Sequence, residues 1–156
     1  MNILTLPNPI LRTKANEAQI SDALKILAKE MLAEIKGKGV GLAAPQIGKS
    51  IRMFVMDVEK KQYALLNPQV LSIGGSMVEF EEGCLSYPGF VGPVVRPDKI
   101  SIEAIDIETG KKTKIKASGL LARVIQHEID HLDGILFIDR VSNPKLLKRS
   151  DSKSGI

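Results

Sequence analysis

The stretch that decides how this chain is read is Leu120-Leu121-Ala122-Arg123-Val124-Ile125-Gln126-His127-Glu128-Ile129-Asp130-His131-Leu132. It predicts a helix from about Leu120 to Leu132, stopped near Gly134. Leu120, Leu121, Ala122, Val124, Ile125, Ile129 and Leu132 surround its axis instead of forming a stripe, and a helix apolar nearly all round is a buried one. Inside it sits His127-Glu128-Ile129-Asp130-His131. Histidines at i and i+4 stand one above the other on one helix face, so both imidazoles can reach one metal ion, with Glu128 beside the first. A lone pentapeptide of this kind arises by chance. Burial changes the odds, because two histidines and two carboxylates on an apolar helix are costly without partners.

His127 and His131 are the only two histidines in the protein. A third ligand therefore comes from another residue type. No Glu follows His131; Asp133 is too close to turn back easily, and Asp139 lies in Phe137-Ile138-Asp139-Arg140, read as a strand or loop. Cys84, the single cysteine, is the better candidate, set in the turn-rich segment Glu82-Gly83-Cys84-Leu85-Ser86. Its bland reading is a small buried hydrophobe. Two imidazoles and a thiolate leave a fourth tetrahedral position for water, the mark of a catalytic site. A metal there acidifies that water and Glu128 accepts its proton, which points to hydrolysis of an amide or ester carbonyl.

Working outward, a first helix runs from about Asp22 to Ile35, with Ser21 as N-cap and Gly37 past its end. Leu24, Leu27, Ala28, Met31 and Ile35 form one core-packing stripe. The middle of the chain reads as strands: Arg52–Asp57, Tyr63–Leu66 ending at Asn67-Pro68, and two segments, near Val70–Ile73 and Met77–Phe80, that flank a Gly74-Gly75 hairpin turn. Ile100, Ile102 and Ala104 alternate with polar residues, and Thr109-Gly110 turns the chain into Lys112–Ala117. Without the rhythm of βαβ units, the fold class is α+β: antiparallel β-sheets packed around a central buried helix, with an N-terminal helix.

The 156 residues fit one domain, 1–156, able to bury its own core. A hydrophobic content of 44% with mixed charge reads as globular rather than disordered. No apolar run approaches the roughly 20 residues of a membrane span, and no secretory signal is visible. One cysteine rules out an internal disulfide and suits a reducing, cytoplasmic setting, although an organellar protein shorn of a transit peptide would read the same. Much of the net charge of +4 lies in a polar tail from about residue 145, where Lys145, Lys148, Arg149 and Lys153 outnumber Asp151. That tail reads as solvated and flexible. It lacks interleaved aromatics and matches no nucleic-acid motif, so no specific nucleic-acid partner is expected.

Three blocks carry a resemblance. Gly39-Val40-Gly41-Leu42-Ala43-Ala44-Pro45-Gln46, Glu82-Gly83-Cys84-Leu85-Ser86 and Gln126-His127-Glu128-Ile129-Asp130-His131 resemble, in order, the blocks of the peptide deformylases. Leu6-Pro7-Asn8-Pro9-Ile10-Leu11-Arg12 is similar to that family's start. The resemblance implies a metal-dependent hydrolase that removes the formyl group from the N-terminal formyl-methionine of new polypeptides. Cys84, His127 and His131 would hold one divalent ion: Fe(II) in cells, with Zn(II), Ni(II) or Co(II) as other occupants. Glu128 would serve as base and then acid, while the Gln46 amide and the Leu85 N–H would complete an oxyanion hole. Val40, Gly41, Leu42 and Gly83 would bind the extended peptide through main-chain bonds. Leu120 and Val124 would line the methionine pocket, with core packing an equally good account of both. Glu82 and Arg96 align with a charged pair that supports the site.

Two departures stand out. Val91 falls where some relatives carry an arginine near the peptide groove. The sequence runs 25 residues past His131 and its last stretch is polar and charged, where many relatives carry a longer C-terminal helix, which weighs against the transient ribosome contact that the resemblance raises. Rival readings are a general HExxH metallopeptidase, a family member without turnover, and a structural metal site. The first expects a third ligand downstream, and the last leaves Glu128 without a task.

Overall fold

The computed structural model describes residues 1–151 and 155–156. Helix α1 spans Asp22–Ile35, and the Ser21 hydroxyl accepts from the Leu24 N–H at 3.3 Å, the capping bond expected of a serine there. Gly37 follows in the left-handed region at φ 74°, which ends the helix. Helix α2 spans Gly119–Leu132. Between and around them run β1 (Gly41–Ala43), β2 (Met53–Val58), β3 (Lys61–Cys84), β4 (Tyr87–Asp106), β5 (Lys112–Ser118) and β6 (Lys148–Arg149). All pair antiparallel in one sheet of order β1-β2-β3-β4-β5, with β6 added to β4. The α+β class and the antiparallel pairing agree with the sequence, although one continuous sheet replaces the several expected.

Strand β2 explains why Met53-Phe54-Val55-Met56 is apolar without alternation. Phe54 and Met56 join the cluster that holds Val124, Ile125 and Leu132 of α2, while Met53 and Val55 join the one that holds Leu24, Ala28, Met31 and Ile35 of α1. With a helix packed on each face, every residue of the strand except Asp57 is buried. Each large aliphatic or aromatic side chain removed from water here contributes about 1.5–3 kcal/mol.

Three expectations change. The Gly74-Gly75 hairpin does not form: β3 runs straight through it, and Ile73 and Gly74 pair with Ile100 and Lys99 of β4 while Met77 pairs with Pro97. The register shifts between Gly74 and Met77, with Gly75 at φ 80° and the Asp98 carboxylate accepting from the Ser76 N–H at 2.9 Å. The two glycines make a bulge in a long ladder, and the reversal lies at Cys84–Tyr87 instead. Phe137–Asp139 is a short 3-10 helix rather than a strand or loop. Finally, the tail is built into the sheet through Lys148 and Arg149, which pair with Val91 and Phe90, and Leu147 packs against the cluster of Val94 and Phe137. Strand addition is satisfied by backbone groups, so a polar sequence does not forbid it. Of the tail lysines, Lys153 lies outside the described residues.

Candidate metal centre

The end of β3 and the last two turns of α2 converge. Cys84, His127 and His131 are buried, and one donor atom of each lies within 4.8 Å of the other two. Cys84 Sγ stands 3.2 Å from His131 Nε2. Among the described residues this is the only cluster of three such donors.

The surroundings orient the donors. Glu82 is fully buried, which alone would raise its pKa, but hydrogen bonds from His127 and Arg96 outweigh that and lower it to about 2. An ionised carboxylate only accepts, so at 2.8 Å His127 Nδ1 must donate to Glu82, leaving Nε2 as the ring's free donor atom. Arg96 grips the same carboxylate through Nε (2.7 Å) and Nη2 (3.0 Å), and reaches Asp130 through Nη1 (2.9 Å). Arg140 closes the far side of Asp130 at 2.8 Å. The Gln46 amide donates to Ser86 Oγ at 3.1 Å and toward Cys84 Sγ at 3.6 Å, while its own oxygen accepts from the Ala43 N–H at 2.9 Å. The N-terminal segment straps these blocks together, with Leu4 N–H donating to Gln46 O and Leu6 N–H to Ser86 O.

The donor set fits a divalent cation. Burial pushes the Cys84 thiol up to about 12, against which the Ser86 N–H acts, so a thiolate there wants a neighbouring positive charge. His131 is driven well below its usual range, first by burial and then by His127, and so is neutral and able to bind a metal. Glu128 is driven well above the carboxylate range by burial and next by the charge of Glu82. Both Glu128 oxygens and His131 Nδ1 are buried without a hydrogen-bond partner; for the Glu128 carboxyl, an ion and its ligand sphere beside it would relieve that unusual cost.

The other expected residues scatter more. Gly41 lies against Glu128, so closely that a Cβ at Gly41 would stand 2.3 Å from Oε1. Val40 spends its carbonyl on the Asp57 N–H at 2.8 Å, and Leu42 points into the α1 core, fully buried, so only main-chain contacts remain for it. Gly83 lies beside Cys84 and pairs with Val91. Val124 is fully buried in the core cluster of α2. Leu120, 39% exposed, lines a separate cleft with Val78, Phe80, Pro97 and Arg123, in which no metal donor takes part.

Arg123 was not anticipated. It is buried on α2 and donates to Glu82 Oε2 (2.6 Å), Val94 O (3.0 Å) and Val78 O (2.7 Å). A lone arginine four residues before His127 in an apolar helix was the available signal.

Fold and donor set define a class: an α+β protein of the HExxH type in which two helix histidines meet a cysteine thiol beside a buried glutamate. The comparisons narrow it. The family model described as Polypeptide deformylase matches residues 1–146. A peptide deformylase of Picosynechococcus sp. is 49% identical over 157 residues, covering 96% of this chain and 83% of that relative. One of Dictyoglomus turgidum is 45% identical, covering 90% and 92%. Among solved structures, the peptide deformylase of Thermotoga maritima superposes with a TM-score of 0.86 at 38% identity, covering 90% of this chain and 97% of that one. That of Synechococcus elongatus in complex with actinonin gives 0.88 at 39%, covering 92% and 79%. The chain belongs to the polypeptide deformylase family.

Proposed function

We propose that this chain hydrolyses the formyl group from the N-terminal formyl-methionine of new polypeptides, with Cys84, His127 and His131 holding one divalent ion and Glu128 moving the proton. The observation that carries this reading is the buried, unpartnered Glu128 carboxyl next to three converging donors. The ion, when bound, supplies Lewis-acid chemistry to water and to the formyl carbonyl.

The chain's own groups do the rest. Glu128, set high by burial, takes the proton of the attacking water and passes it to the departing peptide amine. Water thus supplies the oxygen added to formate, and the peptide leaves with a free amino terminus. The Gln46 amide, within reach of Cys84, and the Leu85 N–H stabilise the carbonyl oxygen as it gains charge. Glu82, held by Arg96, fixes the His127 tautomer. The edge of β1 at Val40 and Gly41, with Gly83 opposite, takes the peptide main chain as an added strand. Val124 and Leu120 are assigned to the methionine pocket, although the exposed cleft around Leu120 makes its share the smaller.

Ligands of this kind accept several metals, and Fe(II) is the assigned occupant in cells, with Zn(II), Ni(II) and Co(II) as substitutes. No helix among the described residues is long and apolar enough to cross a membrane. The cytoplasm is the assigned setting, on the single thiol. The tail segment Lys148–Arg149 is tied into the sheet, so its main chain is spent there and not on the transient ribosome contact that the resemblance raises.

Metal analysis and turnover together test the assignment. The native chain should bind one ion, Cys84→Ser and His131→Ala should bind it far more weakly, and Glu128→Gln should keep the ion while kcat falls about 10²–10⁴-fold. A Glu128→Gln form with undiminished turnover would contradict the role of the base and favour a structural metal.

A further inference from the structure

The space between the β1 edge and the Cys84 turn is filled by this chain itself. The Gly155 N–H donates to Lys38 O at 3.1 Å, and the Ile156 N–H donates to Gly83 O at 3.3 Å. The Lys38 carbonyl stands immediately before the block that leads into β1, and the Gly83 carbonyl lies one residue before Cys84. Gly155 is held between them with no room for a side chain: a Cβ there would lie 2.9 Å from Leu85 N and 3.3 Å from Cys84 Cα. From the opposite wall, a Cβ at Gly39 would lie 3.1 Å from Gly155 O. Ile156 is half-buried and packs, with Val40 and Leu121, against the cluster that contains Ala43 and Val124.

This is how an extended peptide would be bound. Strand β1 ends the β1-β2-β3-β4-β5 order, so its outer edge presents main-chain groups to an added segment. A bound substrate needs backbone partners on that edge, backbone partners on the facing Gly83 segment, and an apolar side chain set into the core rim. Ile156 takes the Gly83 carbonyl and the apolar rim, and Gly155 takes the Lys38 carbonyl just ahead of β1 and fills the space between Gly39 and the Cys84–Leu85 backbone. A peptide cannot take the same carbonyls while these residues hold them.

We propose that Gly155 and Ile156 are an internal pseudosubstrate that occupies the peptide cleft and must be displaced before a formylated peptide binds; the proposal rests on the deformylase reading of that cleft. An occupant of this sort binds the free enzyme and is absent from the enzyme–substrate complex. It therefore raises KM by the factor by which it lowers the open fraction, and leaves kcat alone.

Two variants of the full chain test it: Gly155→Val, whose side chain meets Leu85 and Cys84, and Ile156→Asp, which carries a charge into an apolar rim. For a formyl-methionyl tripeptide, both should lower KM about three- to tenfold with kcat unchanged. Amide hydrogen exchange gives a readout independent of turnover. In the native chain the Gly155 and Ile156 amides should exchange slowly, and the same tripeptide, saturating on the Glu128→Gln form where it is not consumed, should release that protection. An unchanged KM in both variants overturns the proposal, as does protection that the tripeptide fails to release. Should no form release formate, the deformylase reading falls by that result, and exchange alone decides whether the cleft is held shut.

Discussion

At Gly41 the main chain runs so close to Glu128 that an added Cβ would stand 2.3 Å from Oε1 and 2.9 Å from Cδ. The glycine is there because the carboxylate needs the room. Gly41→Ala must push Glu128 aside, and a displacement of about 1 Å at a reacting group costs on the order of 10²-fold in rate. The expected outcome is a kcat lowered by about that factor with one metal ion still bound, read by kinetics and metal analysis on the same sample. Normal turnover would mean that Glu128 is not held where it acts. At this scale the sequence was most legible where residue types were scarce: with two histidines and one cysteine, the donor set had few other solutions. It was least legible where a side chain's direction decides its role. Leu42 sits in the peptide-binding block yet points into the core, and Arg123, passed over in an apolar run, reaches Glu82. Neither direction follows from spacing alone, because each depends on which neighbour the element packs against.

Among the elements, β2 carries the packing. Phe54 faces the α2 cluster with no exposure, in a place where no side chain can collapse inward without moving a helix. Phe54→Ala should cost about 3–5 kcal/mol of unfolding free energy. Ile73→Ala on β3, at a side chain 55% exposed, should stay within about 0.5 kcal/mol. Urea unfolding of both variants checks the contrast, and equal costs would contradict the two-faced burial of β2. Helix α1 was readable from its stripe and its cap, both local signals. Gly74-Gly75 misled for the same reason. Two glycines between apolar runs look like a hairpin within a short window, but both runs pair with β4 further along the chain, Ile73 with Ile100 and Phe80 with Val94, and that longer-range ladder decides.

For the whole molecule, the single sheet brings segments from across the chain to one point: the loop into β1, the end of β3 and the end of α2. A metal ion bound there by Cys84, His127 and His131 ties two distant parts, the end of β3 and the end of α2, together in the native state only. Free metal at a hundred times its Kd then stabilises folding by about 2.7 kcal/mol. Removal by a chelator should lower Tm by about 5–10 °C for a domain of this size. Calorimetry with and without metal measures it, and an unchanged Tm would mean that the three donors hold no ion in the folded chain. The antiparallel α+β class was visible in the order of elements. The tail was not, because its pairing with β4 leaves no trace in hydropathy.

The most direct test of the central claim is formate release from a short formyl-methionyl peptide by anaerobically purified protein, with Glu128→Ala as control. The native protein should release formate, and a variant that still binds its metal at least about a hundredfold less, on the order expected for loss of a general base. A native protein with its metal in place that releases no formate would contradict it.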